Sequence, residues 1–401
     1  MLNKITYKFR LYPNKEQRKI LEQTLQTCRI LYNNLLAERR DTYKKTGCSP
    51  SCYEQTMSLV EKKTDNPYMR EVHSQVLQDV TRRLQRTFEN FFDRTKKKKE
   101  GKWKGKIGYP RFKGRNRYDS FTYPQYGNGC KITGRKLSLS KIGSIRIVQH
   151  RPIEGTIKTC IIRRDIDRWY ACFLVKTPAT VVEMKHPKSR VGVDLGLESL
   201  ITLSNGEKIE PTKYLRKLQK KLRREQRRLS RKKKGSNNRE KQRIKLAKVH
   251  RKVRLQRTDF NHKLSHMLVN RFDLIAFERL SIKNMLQNHH FAKSIADASW
   301  YQLQTFTSYK AAEAGKSVKF VDPYRTTTDC SRCGFHVPKT LSERIHKCPN
   351  CGFTLDRDWN SAINILSRVG WGTAESTPVE IEPLPLPQRK EASSVAESGS
   401  P

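Results

Sequence analysis

Apolar and polar residues alternate with a period of two over residues 1 to 10, the pattern of a strand with one buried face. Pro13-Asn14-Lys15-Glu16-Gln17 follows, with an Asn N-cap three residues ahead of a Gln, a helix-start signal. Behind it Ile20, Leu21, Leu25, Cys28, Leu31, Tyr32, Leu35 and Leu36 recur at helical spacing. The same spacing returns from Ser74 to Phe92 in Val76, Leu77, Val80, Leu84, Phe88 and Phe91. A small helical domain ending near residue 95 is expected.

The pattern changes after the Lys96 to Lys99 run. Gly108-Tyr109-Pro110-Arg111-Phe112-Lys113-Gly114-Arg115 interleaves aromatic and basic residues in a stretch too rich in glycine for a helix. From Ile132 to Lys176 short strands alternate with turns (Leu137-Ser-Leu-Ser, Ile145-Arg-Ile-Val, Trp169-Tyr-Ala-Cys-Phe-Leu-Val). The N-terminal strand is expected to join them, giving a β-barrel-like domain into which the helical domain is inserted.

Leu215, Leu218, Leu222 and Leu229, then Leu246, Val249, Val253 and Phe260, form two helical seams. Lys232 to Asn238 lies between them as the turn of an antiparallel helical hairpin. Further on, Ser294 to Trp300 opens another helix, with Trp300 as a core residue, and Lys316 to Asp322 reads as a strand with Asp322 in the following turn.

Two apolar strands each carry a carboxylate near one end. Arg190-Val-Gly-Val-Asp194 leads through a tight turn at Gly196 into a second strand closing at Asn205-Gly206, and Asp273-Leu-Ile-Ala-Phe-Glu278 repeats the device. Such a pair opens a ribonuclease H-like fold. A lone carboxylate in a buried strand is costly, so each requires a partner, a metal or exposure at the strand end. Asp358 begins a third element, since Asp358-Trp-Asn-Ser-Ala-Ile-Asn-Ile-Leu is a helical pattern with its polar side at the start. Singly, Asp194 is explained as a turn acid, Glu278 as a partner of Arg279 and Asp358 as a helix N-cap. Together, three acids on two strand ends and one helix can converge on a pair of Mg2+ ions.

Charge sets the partner class. The 401 residues hold 83 Lys plus Arg against 38 Asp plus Glu, a formal charge of +45, far beyond the magnitude that solubility asks for. Residues 213 to 257 alone carry 22 basic and two acidic side chains. A polyanion is the natural counterpart, and nucleic acid fits better than an anionic membrane surface because the charge is spread along the chain. No stretch approaches the roughly 18 consecutive apolar residues of a membrane span.

The cysteines add a metal site. Cys330/Cys333 and Cys348/Cys351 form two C-x-x-C pairs separated by fourteen residues, each followed by a glycine, Gly334 and Gly352. That arrangement suits tetrahedral Zn2+, whereas disulfides would need an oxidising compartment, and residues 1 to 10 have no apolar leader pattern. Cys28, Cys48, Cys52, Cys130, Cys160 and Cys172 show no second ligand set and are expected as reduced thiols.

With these pieces placed, the chain resembles the TnpB (OrfB) proteins of bacterial and archaeal insertion sequences, relatives of type V CRISPR effectors. The resemblance covers nearly all of residues 1 to 370. It rests on Tyr7-Lys-Phe-Arg-Leu-Tyr-Pro-Asn14, Gly108 to Lys113, Gly192-Val-Asp-Leu-Gly196, Phe277-Glu-Arg-Leu280, Cys330 to Gly334, Cys348 to Gly352 and Asp356 to Ile365.

The family likeness implies a multidomain α+β protein. Residues 1–12 and 96–182 would form a wedge-like β-barrel and residues 13–95 an inserted helical recognition domain. Residues 183–324 and 353–370 would form an α/β RuvC nuclease domain with the basic hairpin at 211–262. Residues 325–352 would be a zinc-ribbon insert that binds target nucleic acid, and residues 371–401, rich in Pro, Ser and Glu, a disordered tail.

It also implies an RNA-guided DNA endonuclease, working in the bacterial or archaeal cytoplasm in association with the nucleoid. Its guide would come from the transposon end, and its target would be double-stranded DNA beside a short flanking motif. A small transposase is an associated partner. Catalysis falls on Asp194, Glu278 and Asp358, with Asp356 the competitor for the third place. Two Mg2+ ions about 3.5 to 4 Å apart would be bridged by Asp194. Structural Zn2+ falls on Cys330, Cys333, Cys348 and Cys351, and contacts to nucleic acid on Arg111, Lys113, Arg115, Lys220, Arg224, Arg228, Lys232, Lys233 and Lys234. Ser361, where Ala is common, and Arg279 depart from the family's usual residues without removing a ligand. Two rival functions use the same features: a transposase acting on DNA without RNA, and a non-catalytic zinc-dependent regulator of transposition.

Overall fold

The computed structural model describes residues 3–103, 105–115, 117–177, 187–212, 214–285, 287–340 and 343–369. The disordered tail expected at 371–401 lies outside the described residues. The chain forms two compact units, one built from the chain up to residue 181 together with Lys220–Lys252, the other from Val182–Gln219 and the chain from Val253 onward.

In the first unit β1 (Asn3–Tyr12) buries Tyr7, Phe9 and Leu11 on one face, as a period of two requires. Asn14 and Gln17 then form a reciprocal capping box, with 2.8 and 3.1 Å bonds, at the start of α1 (Lys15–Thr46). The helix ends where Gly47 takes a φ of 73°. Three short helices, α2 (Cys52–Met57), α3 (Leu59–Asp65) and α4 (Pro67–Arg70), lead to the long α5 (Ser74–Lys99). The strands β2 (Ser120–Tyr123), β3 (Cys130–Thr133), β4 (Lys136–Leu139), β5 (Gly143–Val148), β6 (Thr156–Asp165) and β7 (Arg168–Thr177) complete a seven-stranded sheet curled into a nearly closed barrel. Its order is β2-β6-β7-β1-β5-β4-β3, so the N-terminal strand sits inside the sheet, antiparallel to β7 and β5. The seams of α1 and α5 join the barrel strands in one contiguous apolar core.

The second unit holds a five-stranded sheet. Here β8 (Arg190–Leu195) runs antiparallel to β9 (Ile201–Leu203), which in turn runs antiparallel to β10 (Lys208–Ile209). The hairpin follows as α6 (Tyr214–Ser230) and α7 (Asn237–Arg271), two helices whose sequence belongs partly to each unit. Leu222, Leu229, Leu246 and Val249 are buried along the seam, and the buried Glu225 accepts from Gln242 at 2.7 Å. Beyond Phe260, Leu264, Leu268 and Val269 carry the apolar face of α7 into the core of the second unit.

After it come β11 (Leu274–Glu278), α8 (Ile282–Met285), α9 (Ala292–Ala298), α10 (Trp300–Glu313) and β12 (Ser317–Val321). The sheet order is β10-β9-β8-β11-β12, with β8, β11 and β12 parallel. Trp300 is core, and Asp322 turns the chain by accepting from the Tyr324 amide at 2.9 Å. A small hairpin, β13 (Ile345–Lys347) and β14 (Thr354–Asp356), precedes the last helix, α11 (Arg357–Ser367), which packs across β8. That packing is so close that a Cβ on Gly192 would meet the Ala362 carbonyl oxygen at 2.0 Å.

Candidate active site

Each acid owes its place to its strand or helix. Phe277 lies opposite Val193 in the parallel β8–β11 pair, so continuing the register one residue sets Glu278 beside Asp194 at the carboxyl ends of both strands. Ligands of open α/β sheets gather at such strand ends. Asp358, in the first turn of α11, reaches the same point because α11 lies against β8 at Gly192. Asp194 and Glu278 are each 6% exposed, and the Asp358 side chain is 13% exposed.

Hydroxyls and arginines hold these groups. Ser361, one turn beyond Asp358, donates to Asp194 Oδ1 at 2.9 Å, and Thr326 donates to Glu278 Oε1. Arg357 Nε and Nη2 both approach Asp358 Oδ1 at 3.1 Å, with Arg344 at 3.9 Å from Oδ2. Among the described residues no ion pair reaches Asp194 or Glu278. Burial, followed by repulsion from Glu278 and Asp358, pushes the Asp194 carboxyl well above the ordinary range. Burial also raises Glu278, against the Thr326 bond.

Crowded, desolvated oxygen donors with no cation on two of them fit a hard divalent ion. Asp356 is otherwise engaged. Its Oδ1 caps α11 by accepting from the Asp358 and Trp359 amides at 3.1 Å, and its Oδ2 pairs with Lys208 at 2.7 Å. Burial works to raise its pKa, but Lys208 and those amides more than offset it and hold it low.

The four late cysteines converge as their spacing implies. Their sulfurs all lie within 4.8 Å of one another, with Cys330–Cys351 at 3.7 Å and Cys333–Cys348 at 3.5 Å, well beyond the ~2.05 Å of a disulfide. Each knuckle closes when the glycine amide after its second cysteine bonds the first cysteine's carbonyl, Gly334 to Cys330 at 2.8 Å and Gly352 to Cys348 at 3.0 Å. Both glycines need the left-handed region, with φ of 75° and 69°. The Phe335 amide and then Asn350 pull the Cys333 thiol down to about 6, toward the thiolate that binds metal. Cys28, Cys48, Cys52, Cys130, Cys160 and Cys172 stay outside this cluster as free thiols.

The basic candidates lie in the first unit. Arg111, Arg115, Lys220, Arg224, Arg228, Lys233 and Lys234 are exposed, and Lys232 is half-buried. Lys113 differs: its backbone is fixed by Asn33 and Arg29, and its ammonium sits 5.4 Å from the Tyr32 ring centroid, so burial lowers its pKa.

Thr326, Asn360 and Asn364, all buried around the acids, escaped the sequence reading. For the two asparagines a signal existed, because their i, i+4 spacing sets two amides on one face of α11. Thr326, in a segment without periodicity, gave none.

Three family models match the chain. One described as "Probable transposase" (OrfB of IS605) covers residues 172–289, "Cas12f1-like, TNB domain" covers 300–365, and "Helix-turn-helix domain" covers 1–48. The last stretch folds here as a strand and one long helix. A Streptomyces pristinaespiralis protein named "Putative RNA-guided DNA endonuclease" is 35% identical over 91% of this chain and 89% of its own length. "Putative RNA-guided DNA endonuclease InsQ" of Escherichia coli K12 is 31% identical over 90% and 91%. Among solved structures, a Cas12f1–sgRNA–target DNA complex matches with a TM-score of 0.54 at 15% identity, covering 91% of this chain and 98% of that one, which places the two in one fold.

Proposed function

The chain belongs to the TnpB (OrfB) family, and on that premise we propose that it is an RNA-guided DNA endonuclease that cuts phosphodiesters with divalent ions held by Asp194, Glu278 and Asp358. The observation that carries this reading is the convergence of two buried, desolvated carboxylates at neighbouring strand ends with a third at a helix start. Asp194, Glu278 and Asp358 would hold Mg2+, which would supply an activated water and stabilisation of the leaving 3′ oxygen, as in a two-metal RuvC site.

The chain's own groups do the positioning. Ser361 fixes one oxygen of Asp194, leaving the other for an ion, and Thr326 does the same for Glu278. Arg357 orients Asp358, and the start of α11 favours a negative charge at that position. Zn2+ on Cys330, Cys333, Cys348 and Cys351 is the structural ion, and it keeps the knuckles folded next to the acids.

The partners in this reading are a guide RNA from the transposon end and double-stranded DNA with a short flanking motif, alongside a small transposase of the same element. Arg111, Arg115 and the hairpin side chains Lys220, Arg224, Arg228, Lys232, Lys233 and Lys234 grip backbone phosphates, with Lys113 steadying the 108–115 segment. Base pairing reads the sequence. The β-barrel serves as the wedge, α1–α5 as recognition helices, and the cysteine module as a grip on the target. The setting is the bacterial or archaeal cytoplasm, at the nucleoid.

Purification from cells that carry the element's end tests this reading. One defined RNA should copurify, and plasmid cleavage should need that RNA, Mg2+ and an intact Asp194. Cleavage that survives ribonuclease would point to a transposase acting on DNA alone. Binding without cleavage by the wild-type protein would point to a regulator.

A further inference from the structure

From Asp322, just after β12, to Ser331 within the first cysteine knuckle the chain has no helix or strand of its own. Buried peptide groups outside regular structure still need partners, and here α11 supplies them. Asn364 Nδ2 donates to the Thr326 carbonyl at 2.9 Å and to the Asp329 carbonyl at 2.8 Å. Asn360 Nδ2 donates to the Asp329 carbonyl at 2.8 Å, while its Oδ1 accepts from the Ser331 amide at 2.9 Å. Asn360 therefore grips the residues on both sides of Cys330. Arg368 closes the other end through the Asp322 carbonyl at 2.9 Å and the Tyr324 carbonyl.

The same strap delivers the Thr326 hydroxyl to Glu278. Asn360, Asn364 and Thr326 are 0%, 7% and 2% exposed, so water does not substitute for these bonds. One end of the strap is a thiolate ligand and its middle is a carboxylate's hydrogen-bond donor. The helix holding both carries Asp358 two residues before Asn360.

We propose that Thr326, Asn360 and Asn364 are positioning residues that transmit the geometry of the cysteine cluster to Glu278, making the thiolate-bound ion and the carboxylate-bound ions energetically coupled. The proposal rests on the reading above, in which the acids take Mg2+ and the cysteines Zn2+. If the asparagines only satisfied loop carbonyls, their loss would lower stability and leave each metal indifferent to the other. Coupling between two binding sites is reciprocal, so occupancy of the acids must show at the cysteines.

The test measures, at equilibrium, how much zinc the full-length, zinc-loaded protein releases to a zinc-selective chromogenic chelator, with and without Mg2+. In the wild type, Mg2+ should tighten zinc binding by about 5-fold or more and reduce release accordingly. In T326V release should lose its Mg2+ dependence, zinc content should stay at the wild-type level, and the Mg2+ concentration for half-maximal cleavage should rise about 10-fold. T326S, which keeps the hydroxyl, should restore both properties.

A wild-type zinc affinity indifferent to Mg2+ overturns the coupling, and that arm needs no variant to fold. So does a T326V protein that behaves as wild type in both measurements. D194A separates the two proposals. If D194A is dead while wild-type release ignores Mg2+, only the coupling fails, whereas a D194A that still cuts removes the carboxylate site and the coupling with it.

Discussion

Ser361 donates its hydroxyl to Asp194 Oδ1 at 2.9 Å, tying α11 to β8 at the centre of the acid cluster. A donor to a carboxylate favours the ionised form, the form that binds a cation. Its loss in S361A raises an already raised Asp194 further. Neutral-pH cleavage should fall about 10-fold, with the acid limb of the pH–rate profile moved to higher pH and activity returning toward wild type in alkali. Rates measured from pH 6 to 9 at fixed Mg2+ check this, and a uniform drop with no shift would refute it.

Asp194 itself should trade stability for function. Its pKa is raised in the fold, so folding disfavours the ionised group. That cost is full above the folded pKa and fades as pH falls toward the ordinary value near 3.9. D194N should therefore be more stable than the wild type in EDTA at neutral pH, by on the order of 1 kcal/mol or more, with the gap closing on acidification. Mg2+ should stabilise the wild type and not D194N, and cleavage should drop at least about 100-fold. Thermal melts against pH, with and without Mg2+, read the stability effects and plasmid cleavage reads the last, and equal melting in EDTA would contradict the account.

Gly192 is a packing requirement more than a turn residue. An added Cβ would strike the Ala362 carbonyl oxygen at 2.0 Å and the Leu366 amide nitrogen at 2.8 Å, both backbone atoms that yield only if α11 moves off β8. G192A should cost about 3 kcal/mol and lower cleavage by displacing Asp358 from Asp194. G108A, with open space around it, is the control. Denaturant titration of both proteins decides, and equal midpoints would show that α11 adjusts freely.

Much of this site was legible in the chain because its parts are local. The apolar run ending at Asp194, its counterpart ending at Glu278, and the C-x-x-C pairs each announce themselves within a few residues. The capping box at Asn14 and Gln17 and the hairpin turn before Asn237 were equally local. What stayed hidden depends on long-range geometry. Thr326 meets Glu278 across 48 positions, and nothing near Thr326 in sequence marks it. Asp356 and Asp358 look alike in the chain, and only the fold shows one spent on a cap and Lys208 while the other turns to the acids. The surroundings of Lys113 were hidden too, because neither Tyr32 nor Asn33 is visible from its sequence neighbours.

The hairpin has a latch of its own inside the first unit. Asp167, in the β6–β7 turn, accepts from Arg251 at 2.6 Å and pairs with Lys248 at 2.8 Å, while Arg251, 7% exposed, also bonds the Asp165 carbonyl at 2.9 Å. Burial would raise the Asp167 carboxyl, but the bonds to Lys248 and Arg251 outweigh it and hold it down to about 2. A depressed carboxyl contributes stability that is present above its unfolded value near 3.9 and is lost as pH falls through about 2. Because 38% of the Asp167 side chain remains in water, screening reduces the gain, and D167N should cost on the order of 1 kcal/mol at pH 7. The wild type should lose this advantage between about pH 4 and pH 2, so that the two proteins converge there. Urea midpoints across that range check the sign, and a small difference that did not change with pH would mean that Arg251 is held chiefly by the Asp165 carbonyl.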